Sequence, residues 1–377
     1  MLYYKKFYRT ESEFFMDIST IDKNFAGQTA DENGFIYYDV KQTPFSLEGL
    51  PFYKENSEQY YRLPPDFTQN EINTGALELS WHTSGVHVRF RSDSPEIMVY
   101  AKLQKSCDMN HMPRAGSAGF DSYFKAPGKK LIYNKTIQPN AGVSEVKANC
   151  GINDTGKICD WIINFPLYGG VTEVQIGIKA GSRLLAPKPH KVEKPILFYG
   201  SSITQGGCAS RPGNSYTSML CRAVDAPEIN WGFSGSGKGE IAVAEAIGKL
   251  DLAAFVMDYD HNAPNVEHLQ NTHEAFYKAV RKGNPSLPII FMSRCNYYNI
   301  QKEQQEINKV RRDIICQTYR NAVANGDKNV HFVDGAKLFG NDLRDACTVD
   351  GCHPNDLGFY RMYRGVLPTL KQALKVK

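Results

Sequence analysis

The second half of the chain alternates between short apolar runs and longer stretches with a helical period. Apolar residues recur every three to four positions in the helical stretches 240–250, 268–282 and 302–324. The apolar runs are typical of buried strands and lie at 196–199, 253–257, 288–292 and 330–333. Alternating strands and helices, with strands that are apolar throughout, predict a parallel sheet covered by helices on both faces.

The first half, up to about residue 190, has the pattern of strands separated by turns. Residues 86–90 and 173–178 alternate apolar and polar side chains, and residues 96–100 form a β-rich apolar run. Clusters of turn-forming residues separate such runs, at 92–95, 126–128 and 168–170. No window of this half has a long helical period. The pattern therefore predicts an antiparallel β-sandwich.

The change of pattern near residue 190 predicts two domains. At 377 residues the chain is long for one domain. Residues 186–194 contain prolines and charges without an apolar period, which is the composition of a linker. We therefore expect an N-terminal β-sandwich domain at 1–190 and an α/β domain at 194–377. In such a parallel sheet the functional site lies at the carboxyl ends of the strands.

Two short motifs carry the candidate chemistry. The first, Gly200-Ser-Ser-Ile-Thr-Gln-Gly206, follows an apolar run and would expose a serine at the carboxyl end of a strand. The second, Asp350-Gly-Cys-His-Pro354, places a carboxylate and an imidazole three residues apart, a spacing at which the acid can hold the ring. A serine hydroxyl needs such a base, because on its own it is a weak nucleophile. Together the motifs predict a serine hydrolase.

These residues, with two further blocks, resemble the SGNH (GDSL-type) hydrolases. In this resemblance Ser202 matches the nucleophile, and Asp350 and His353 match the Asp-x-x-His block near the C-terminus. Residues 230–235 are similar to the second block, and residues 258–262 to the third. The four blocks occur in the order of the family.

The chain departs from the family pattern in two places. Ser201 stands where the commoner members have aspartate, and the third block lacks the usual Gly-x-Asn-Asp. A subgroup with a Gly-Ser-Ser-Ile-Thr-Gln-Gly turn is similar to this chain, so Ser201 by itself does not argue for an inactive protein.

The resemblance implies a Ser-His-Asp triad and an oxyanion hole. Ser202 would be the nucleophile, His353 the general base, and Asp350 the residue that fixes the imidazole tautomer. The backbone N–H groups of Ser202 and Gly235, with the side-chain amide of Asn262, would bind the oxyanion. A need for close backbone approach would explain why residue 235 is glycine.

Three further residues lie near these blocks and are candidate substrate-binding residues. Arg294 follows the predicted strand 288–292 and would lie on the rim of the cleft, where it would contact a substrate oxygen or form a structural ion pair. Tyr259 and Trp231, within or beside the family blocks, could serve as aromatic platforms for a sugar. The basic residues at 309–312 are predicted to form the exposed face of a helix.

The first half of the chain also resembles a known domain. Residues 82–85, 118–123 and 165–169 are similar to the Gly-x-Asp-Leu-Tyr type of domain that precedes SGNH domains in a bacterial subgroup, with Ser122 in the place of leucine. The combined resemblance implies a jelly-roll-like β-sandwich followed by a three-layer α/β/α hydrolase domain. Because the linker has little reach, we expect residues near 120–123 to close one side of the cleft or to support its wall.

Composition and charge narrow the class of function. The 42% of hydrophobic and 22% of charged residues describe an ordinary globular protein. A net charge of +4 without a block of like charges argues against nucleic acid as a partner. No stretch approaches the roughly 20 apolar residues of a membrane span. The N-terminus has basic residues without an apolar run, so no secretory signal is visible; the protein is either cytoplasmic or has lost a signal.

No cofactor is predicted. The histidines between 261 and 273 do not share one helix face and lack a His-Glu-x-x-His motif, so solvated or local hydrogen-bonding roles are favoured over zinc. The nine cysteines are scattered, without a Cys-x-x-Cys pair. Cys150 with Cys159, or Cys347 with Cys352, could close short loops in an oxidising compartment, but reduced thiols are the favoured interpretation.

The residues support ester hydrolysis, and the resemblance implies a carbohydrate esterase that removes acetyl groups from a glycan. A small-acyl esterase or a thioesterase remains open, whereas a lipase is disfavoured because no exposed apolar lid is evident. A glycan-binding protein that has lost activity is the alternative from another class. The retention of Ser202, Asp350 and His353 argues against it. The sequence does not indicate the oligomeric state.

Overall fold

The computed structural model describes residues 29–376, and the two halves of this range have different architectures. The N-terminal half contains two antiparallel sheets. The first sheet has the order β1-β9-β4-β7 and consists of Phe35–Asp39 (β1), Val171–Lys179 (β9), Glu96–Leu103 (β4) and Glu145–Ile152 (β7). The second has the order β10-β3-β8-β5-β6 and consists of Leu184–Leu185 (β10), His87–Ser92 (β3), Cys159–Asn164 (β8), Phe120–Lys125 (β5) and Ile132–Ile137 (β6), with Ser46–Glu48 (β2) paired to β3.

The two sheets enclose one apolar core. Val99 and Ile176 contribute from the first sheet, and Phe90 and Trp161 from the second. The rings of Phe90 and Trp161 stack with their centroids 6.4 Å apart. Successive side chains of a strand point to opposite faces, so alternate residues of each strand fill the space between the sheets. The predicted antiparallel sandwich is confirmed.

The C-terminal half is built on a five-stranded parallel sheet. Its order is β12-β11-β13-β14-β15, formed by Glu228–Gly232 (β12), Ile196–Gly200 (β11), Ala254–Asp258 (β13), Ile289–Met292 (β14) and Val330–Val333 (β15). The helices that connect or follow these strands are Ser202–Gln205, Tyr216–Val224, Ile241–Lys249, Val266–Gly283, Lys302–Ala324 and Asp356–Leu374. Two short helices, Thr74–Leu79 and Arg114–Ser117, belong to the N-terminal half.

Helices cover both faces of this sheet. In strand β11, Leu197 and Tyr199 pack in one apolar cluster with helices Ile241–Lys249 and Val266–Gly283. Ile196 and Phe198, on the opposite face, pack in a second cluster with the helices that begin at Tyr216 and Asp356. The strands are mostly apolar because both of their faces are buried. The predicted three-layer α/β/α arrangement is confirmed.

The two halves are also in contact outside the segment that joins them. The residues between β2 and β3 leave the sandwich and pack against the α/β core, to which Leu63 and Ile72 contribute buried side chains. In the same segment the guanidinium group of the fully buried Arg62 donates to the carbonyl oxygens of Asn230, at 2.5 Å, and Gly232, at 3.1 Å. Part of the N-terminal half is therefore a structural component of the α/β half.

The structure bears on the predictions for the basic stretch at 309–312, for the cysteines and for membrane spans. The basic residues at 309–312 do not form one exposed face, because Arg311 is buried and pairs with Asp260 at 2.7 Å. None of the nine cysteines, all of which lie within residues 29–376, forms a disulfide. No helix of the described residues is long and apolar enough to cross a bilayer. The N-terminus, where no secretory signal was recognised, lies outside the described residues.

Candidate active site

The turn after strand β11, which lies between β12 and β13, presents Ser202. A Cβ atom on Gly200 would come within 2.1 Å of Thr204 Oγ1 and 2.4 Å of the Asp258 carbonyl oxygen, so only glycine fits there. The chain passes directly into the short helix Ser202–Gln205, and the hydroxyl of Ser201 accepts a hydrogen bond from the Ile203 N–H at 3.2 Å. Ser201 therefore caps this helix, which is a role that aspartate fills equally well.

Ser202, His353 and Asp350 form a continuous hydrogen-bonded relay. The Ser202 hydroxyl lies 2.9 Å from His353 Nε2, and His353 Nδ1 lies 2.7 Å from Asp350 Oδ2. The other oxygen of Asp350 accepts the backbone N–H groups of Cys352 and His353. Burial opposes ionisation of Asp350, but these hydrogen bonds prevail and lower its pKa to about 2. An ionised Asp350 holds the proton on Nδ1, which leaves the Nε2 lone pair facing the serine.

Ser202, Gly235 and Asn262 each have an N–H hydrogen that is not used in a hydrogen bond within the described residues. Within residues 29–376, the backbone N–H groups of Ser202 and Gly235 have no hydrogen-bond acceptor. Asn262 Nδ2 donates to the Phe233 carbonyl oxygen at 2.8 Å, which uses one of its two hydrogens. A Cβ atom at residue 235 would meet no atom of the described residues within 4 Å, so the close approach of a substrate oxygen to this backbone stays a prediction. The backbone conformation by itself favours glycine, because a φ of +67° is unfavourable for other residues.

The other polar residues of the third block have partners within the protein. Asp258 is buried and accepts hydrogen bonds from the hydroxyls of Tyr216 and Thr204. Asp260 is buried in its ion pair with Arg311. His261 Nε2 donates to Asn296 Oδ1 at 2.7 Å, and burial, together with the positive charge of Arg294, lowers the pKa of His261 to about 3.

Two of the three candidate substrate-binding residues lie in the core. Trp231 is fully buried and donates its indole N–H to the Arg62 carbonyl oxygen at 3.0 Å. Tyr259 is 1% exposed, and its hydroxyl contacts Thr272 at 2.8 Å. Neither ring can stack on a sugar, because each is enclosed by the α/β core. The residue type could not distinguish the two roles, since an aromatic side chain suits both a core and a platform.

Arg294 is held by neighbouring amide groups, and it forms no ion pair with any residue in the described range 29–376. Its Nε donates to Asn296 and its Nη1 to Asn308. Asn296 in turn donates to the Gly351 carbonyl oxygen at 3.3 Å, in the loop between Asp350 and His353. Arg294 is thus connected to the relay loop through Asn296, and its contact with a substrate remains a prediction.

The N-terminal half supports the nucleophile turn through Gln205. The Gln205 amide nitrogen donates to His82 Nδ1 at 3.0 Å and to the Leu167 carbonyl oxygen at 3.1 Å. Ser84 donates its hydroxyl to the Gln205 carbonyl oxygen at 2.6 Å. Burial lowers the pKa of His82 to about 3, which keeps its ring neutral and able to accept. These residues belong to the segments that resemble the N-terminal domain of the bacterial subgroup.

The segment at 120–123 holds a different loop of the α/β half. Asp121, which is fully buried, pairs with Arg211 and accepts the backbone N–H of Gly213 at 3.0 Å. The hydroxyl of Tyr123 accepts from Arg211 at 2.7 Å. The segment therefore fixes the loop that leads into helix Tyr216–Val224.

His111 lies beside the relay, and sequence patterns did not identify it as a candidate site residue. It lies in the loop after β4 of the sandwich, is exposed, and meets the ring of His353 edge-on with the centroids 5.7 Å apart. No motif surrounds it, and 242 positions separate it from His353 (353 − 111), so only the docking of the two halves identifies it. The histidines between 261 and 273 make separate hydrogen bonds, to Asn296, Lys238 and Thr318.

A cavity of about 910 Å³ lies away from the relay. It is lined by the outer face of the second sandwich sheet, by residues 187–192 and by helix Tyr216–Val224, and it includes Glu228 at the amino end of β12. Neither Ser202 nor His353 lines it. Since chemistry in a parallel α/β sheet belongs at the carboxyl ends of the strands, this cavity is not the active site.

Family models match both halves of the chain. Residues 193–371 match the GDSL-like lipase/acylhydrolase family, and residues 35–184 match the N-terminus of SGNH-hydrolase-type esterases. Among curated proteins no significant match was found.

Solved structures share the fold over most of the chain. A structure described as a GDSL-like lipase from Bacteroides ovatus is 26% identical, with a TM-score of 0.81 over 91% of this chain and 99% of that one. The salicylyl-acyltransferase of a tetracycline biosynthetic pathway is 16% identical, with a TM-score of 0.71 over 91% and 98%. A family two carbohydrate esterase from Clostridium thermocellum, in complex with cellohexaose, is 16% identical, with a TM-score of 0.56 over 78% and 93%. The chain therefore belongs to the SGNH (GDSL-type) hydrolases, with the N-terminal domain of SGNH-hydrolase-type esterases in front, and it is an ester hydrolase.

Proposed function

We propose that this ester hydrolase is a serine esterase that uses Ser202, His353 and Asp350 as its triad and removes acetyl groups from carbohydrates. The observation that carries the proposal is the relay, with 2.9 Å between serine and imidazole and 2.7 Å between imidazole and carboxylate. Both distances are within hydrogen-bond reach, as a nucleophile and its base require.

In the first step, Ser202 Oγ attacks the ester carbonyl carbon while His353 Nε2 takes the hydroxyl proton. The imidazolium that forms is stabilised by the ionised Asp350 and then gives its proton to the departing alkoxide. The product is an acyl-enzyme and a free sugar hydroxyl. In the second step His353 removes a proton from water, the hydroxide attacks the acyl carbon, and acetate leaves as Ser202 recovers its proton.

The charge of the tetrahedral intermediate needs fixed donors. The N–H groups of Ser202 and Gly235 and the second amide hydrogen of Asn262 are the candidates, because within the described residues they have no acceptor. Donors held in place before the reaction need no reorganisation when the charge develops. Removing one such donor usually costs about 3–4 kcal/mol of transition-state stabilisation, and we expect a contribution of this size from each.

Similar solved structures support a carbohydrate as the alcohol part of the ester. Structures with the same two-part architecture include family two carbohydrate esterases and an acetyl xylan esterase from Butyrivibrio proteoclasticus. The partly exposed relay, where the side chains of His353 and Asp350 are 24% and 39% exposed, suits an ester carried on a large polar molecule. A small-acyl esterase or thioesterase is the alternative, since the same relay accepts any acyl group that fits.

Labelling with a fluorophosphonate probe tests the triad. We expect the wild-type protein to be labelled at Ser202 and the Ser202→Ala variant to remain unlabelled. Ser201→Ala is the matched control, because this neighbouring hydroxyl is fully buried and caps the helix. Labelling that persists in Ser202→Ala, or that disappears only in Ser201→Ala, would overturn the assignment of the nucleophile.

A substrate panel tests the carbohydrate assignment. Acetylated xylose, glucose and their oligomers are compared with p-nitrophenyl esters of increasing acyl length. We expect the highest kcat/KM on acetylated sugars and a fall with acyl length. Equal or better turnover of longer acyl chains, with no activity on acetylated sugars, would favour the small-acyl esterase.

A further inference from the structure

Three metal-binding side chains from distant parts of the chain meet beside the relay. His111 from the sandwich, Cys208 from the loop after the nucleophile helix, and His353 each offer one ligand atom, and these atoms all lie within 4.8 Å of one another. Within residues 29–376 no other group of three histidines, cysteines or carboxylates is so close. The two halves of the molecule build this cluster together.

The hydrogen bonds in the cluster leave suitable ligand atoms. His111 Nδ1 contacts Asn110 Oδ1 at 3.1 Å, and His353 Nδ1 contacts Asp350 at 2.7 Å. Each ring therefore carries its proton on Nδ1 and has a lone pair on Nε2. A histidine whose other nitrogen donates to an oxygen is the usual form of a metal ligand, because the oxygen fixes the tautomer and raises the basicity of the ring.

Cys208 adds a soft ligand in an unusual backbone conformation. Its sulfur has no hydrogen-bond partner among the described residues, and its φ of +78° is rare for a residue other than glycine. Two imidazoles and a thiolate match the preferences of Zn²⁺, which takes such ligands at about 2.0–2.3 Å in tetrahedral sites. The ligand atoms would have to approach by roughly 1 Å, which the exposed side chain of His111 allows.

We propose that His111, Cys208 and His353 form a binding site for Zn²⁺ that switches the esterase off. His353 Nε2 is the atom that would both bind the ion and accept the proton of Ser202, so the two events exclude each other. The inhibition, though not the binding, rests on the proposed function of His353. The fourth position of the ion would be open to water or to the Ser202 hydroxyl.

Binding of the ion displaces one proton from the thiol of Cys208. One proton leaves for each ion bound, because the thiolate is the form of cysteine that binds metals.

The test of binding uses the full chain with Ser202→Ala, which keeps all three ligands and has no turnover. Co²⁺ is the probe, since a thiolate ligand gives it a charge-transfer absorption in the near ultraviolet. We expect this absorption to saturate at one ion per chain, to disappear in Cys208→Ser, and to be displaced by Zn²⁺. An absent thiolate absorption, or one that persists in Cys208→Ser, would overturn the site, whatever the enzyme hydrolyses.

The test of inhibition uses the wild-type protein and two ligand variants. Zn²⁺ should abolish hydrolysis of p-nitrophenyl acetate, and a chelator should restore it. In His111→Ala and Cys208→Ser the Zn²⁺ concentration for half inhibition should rise at least about tenfold, the usual effect of weakening a metal site. His331→Ala, which changes a half-buried histidine of β15, should leave it unchanged. Equal inhibition of all four proteins would overturn the switch.

Discussion

Asp258 offers a sharp test of the electrostatics beneath the nucleophile turn. Its carboxyl group is 1% exposed at the end of β13 and accepts hydrogen bonds from Tyr216 at 2.8 Å and from Thr204, two residues beyond the serine, at 3.1 Å. Its second oxygen has no partner among the described residues. Burial raises the pKa of Asp258 to about 8, against which these two hydrogen bonds act only in part.

The sign of the effect on stability follows from this shift. Between the ordinary pKa of 3.8 and the folded value of about 8, the folded protein holds a proton that the unfolded chain has lost. Over this range the free energy of unfolding therefore falls as pH rises, by up to about 1.4 kcal/mol per unit from this one group. From pH 5 to pH 7.5 the loss amounts to about 3 kcal/mol.

The Asp258→Asn variant removes this dependence. Its amide oxygen can still accept from Tyr216 and Thr204, but its NH2 group takes the position that has no partner, at a constant cost of about 1–3 kcal/mol. We expect the variant to be less stable than the wild type at pH 5 and to equal or exceed it at pH 8. The test is whether the difference in the free energy of unfolding between the two proteins changes from pH 5 to pH 8. Its value at any one pH is not the test.

Urea unfolding at pH 5, 6.5 and 8, followed by tryptophan fluorescence, measures this difference. Asp251→Asn is the control for loss of a carboxyl group at the surface, where Asp251 is 77% exposed and pairs with Lys194. A stability difference between the wild type and Asp258→Asn that stays constant from pH 5 to pH 8 would refute the reasoning. It would mean that Asp258 is ionised in the folded protein throughout.

Three further predictions concern the relay and the domain contact. Asp350→Asn should lower kcat on p-nitrophenyl acetate about 10⁴-fold, because an amide cannot enforce the tautomer that leaves Nε2 free; a loss below tenfold would contradict the relay. Asn262→Ala should lower kcat about 10²–10³-fold with little change in KM, since its amide acts mainly once the oxyanion forms, and a selective rise in KM would count against this role. A fragment of residues 194–377 should be poorly soluble in expression trials because it lacks the buried Leu63 and Ile72; a soluble, fully active fragment would show that the sandwich is accessory.

Local patterns in the sequence determined the architecture and most of the relay. The helix predicted at 302–324 has these bounds in the structure, because its apolar period follows the face that it buries. Asp350 and His353 could be paired from sequence, since a spacing of three places both groups in one turn. Ser202 could be recognised because its turn requires glycine and small residues directly after an apolar strand.

Tertiary structure decided which candidate residues are accessible and which distant residues meet. The basic stretch at 309–312 and the aromatic residues Trp231 and Tyr259 were misjudged, because side-chain type does not state which face the neighbouring layer covers. The same holds for the contacts of Gln205 with the sandwich and for His111 beside His353. These contacts arise from the docking of two separately patterned halves, and periodicity records only whether a face is buried, never which distant segment covers it.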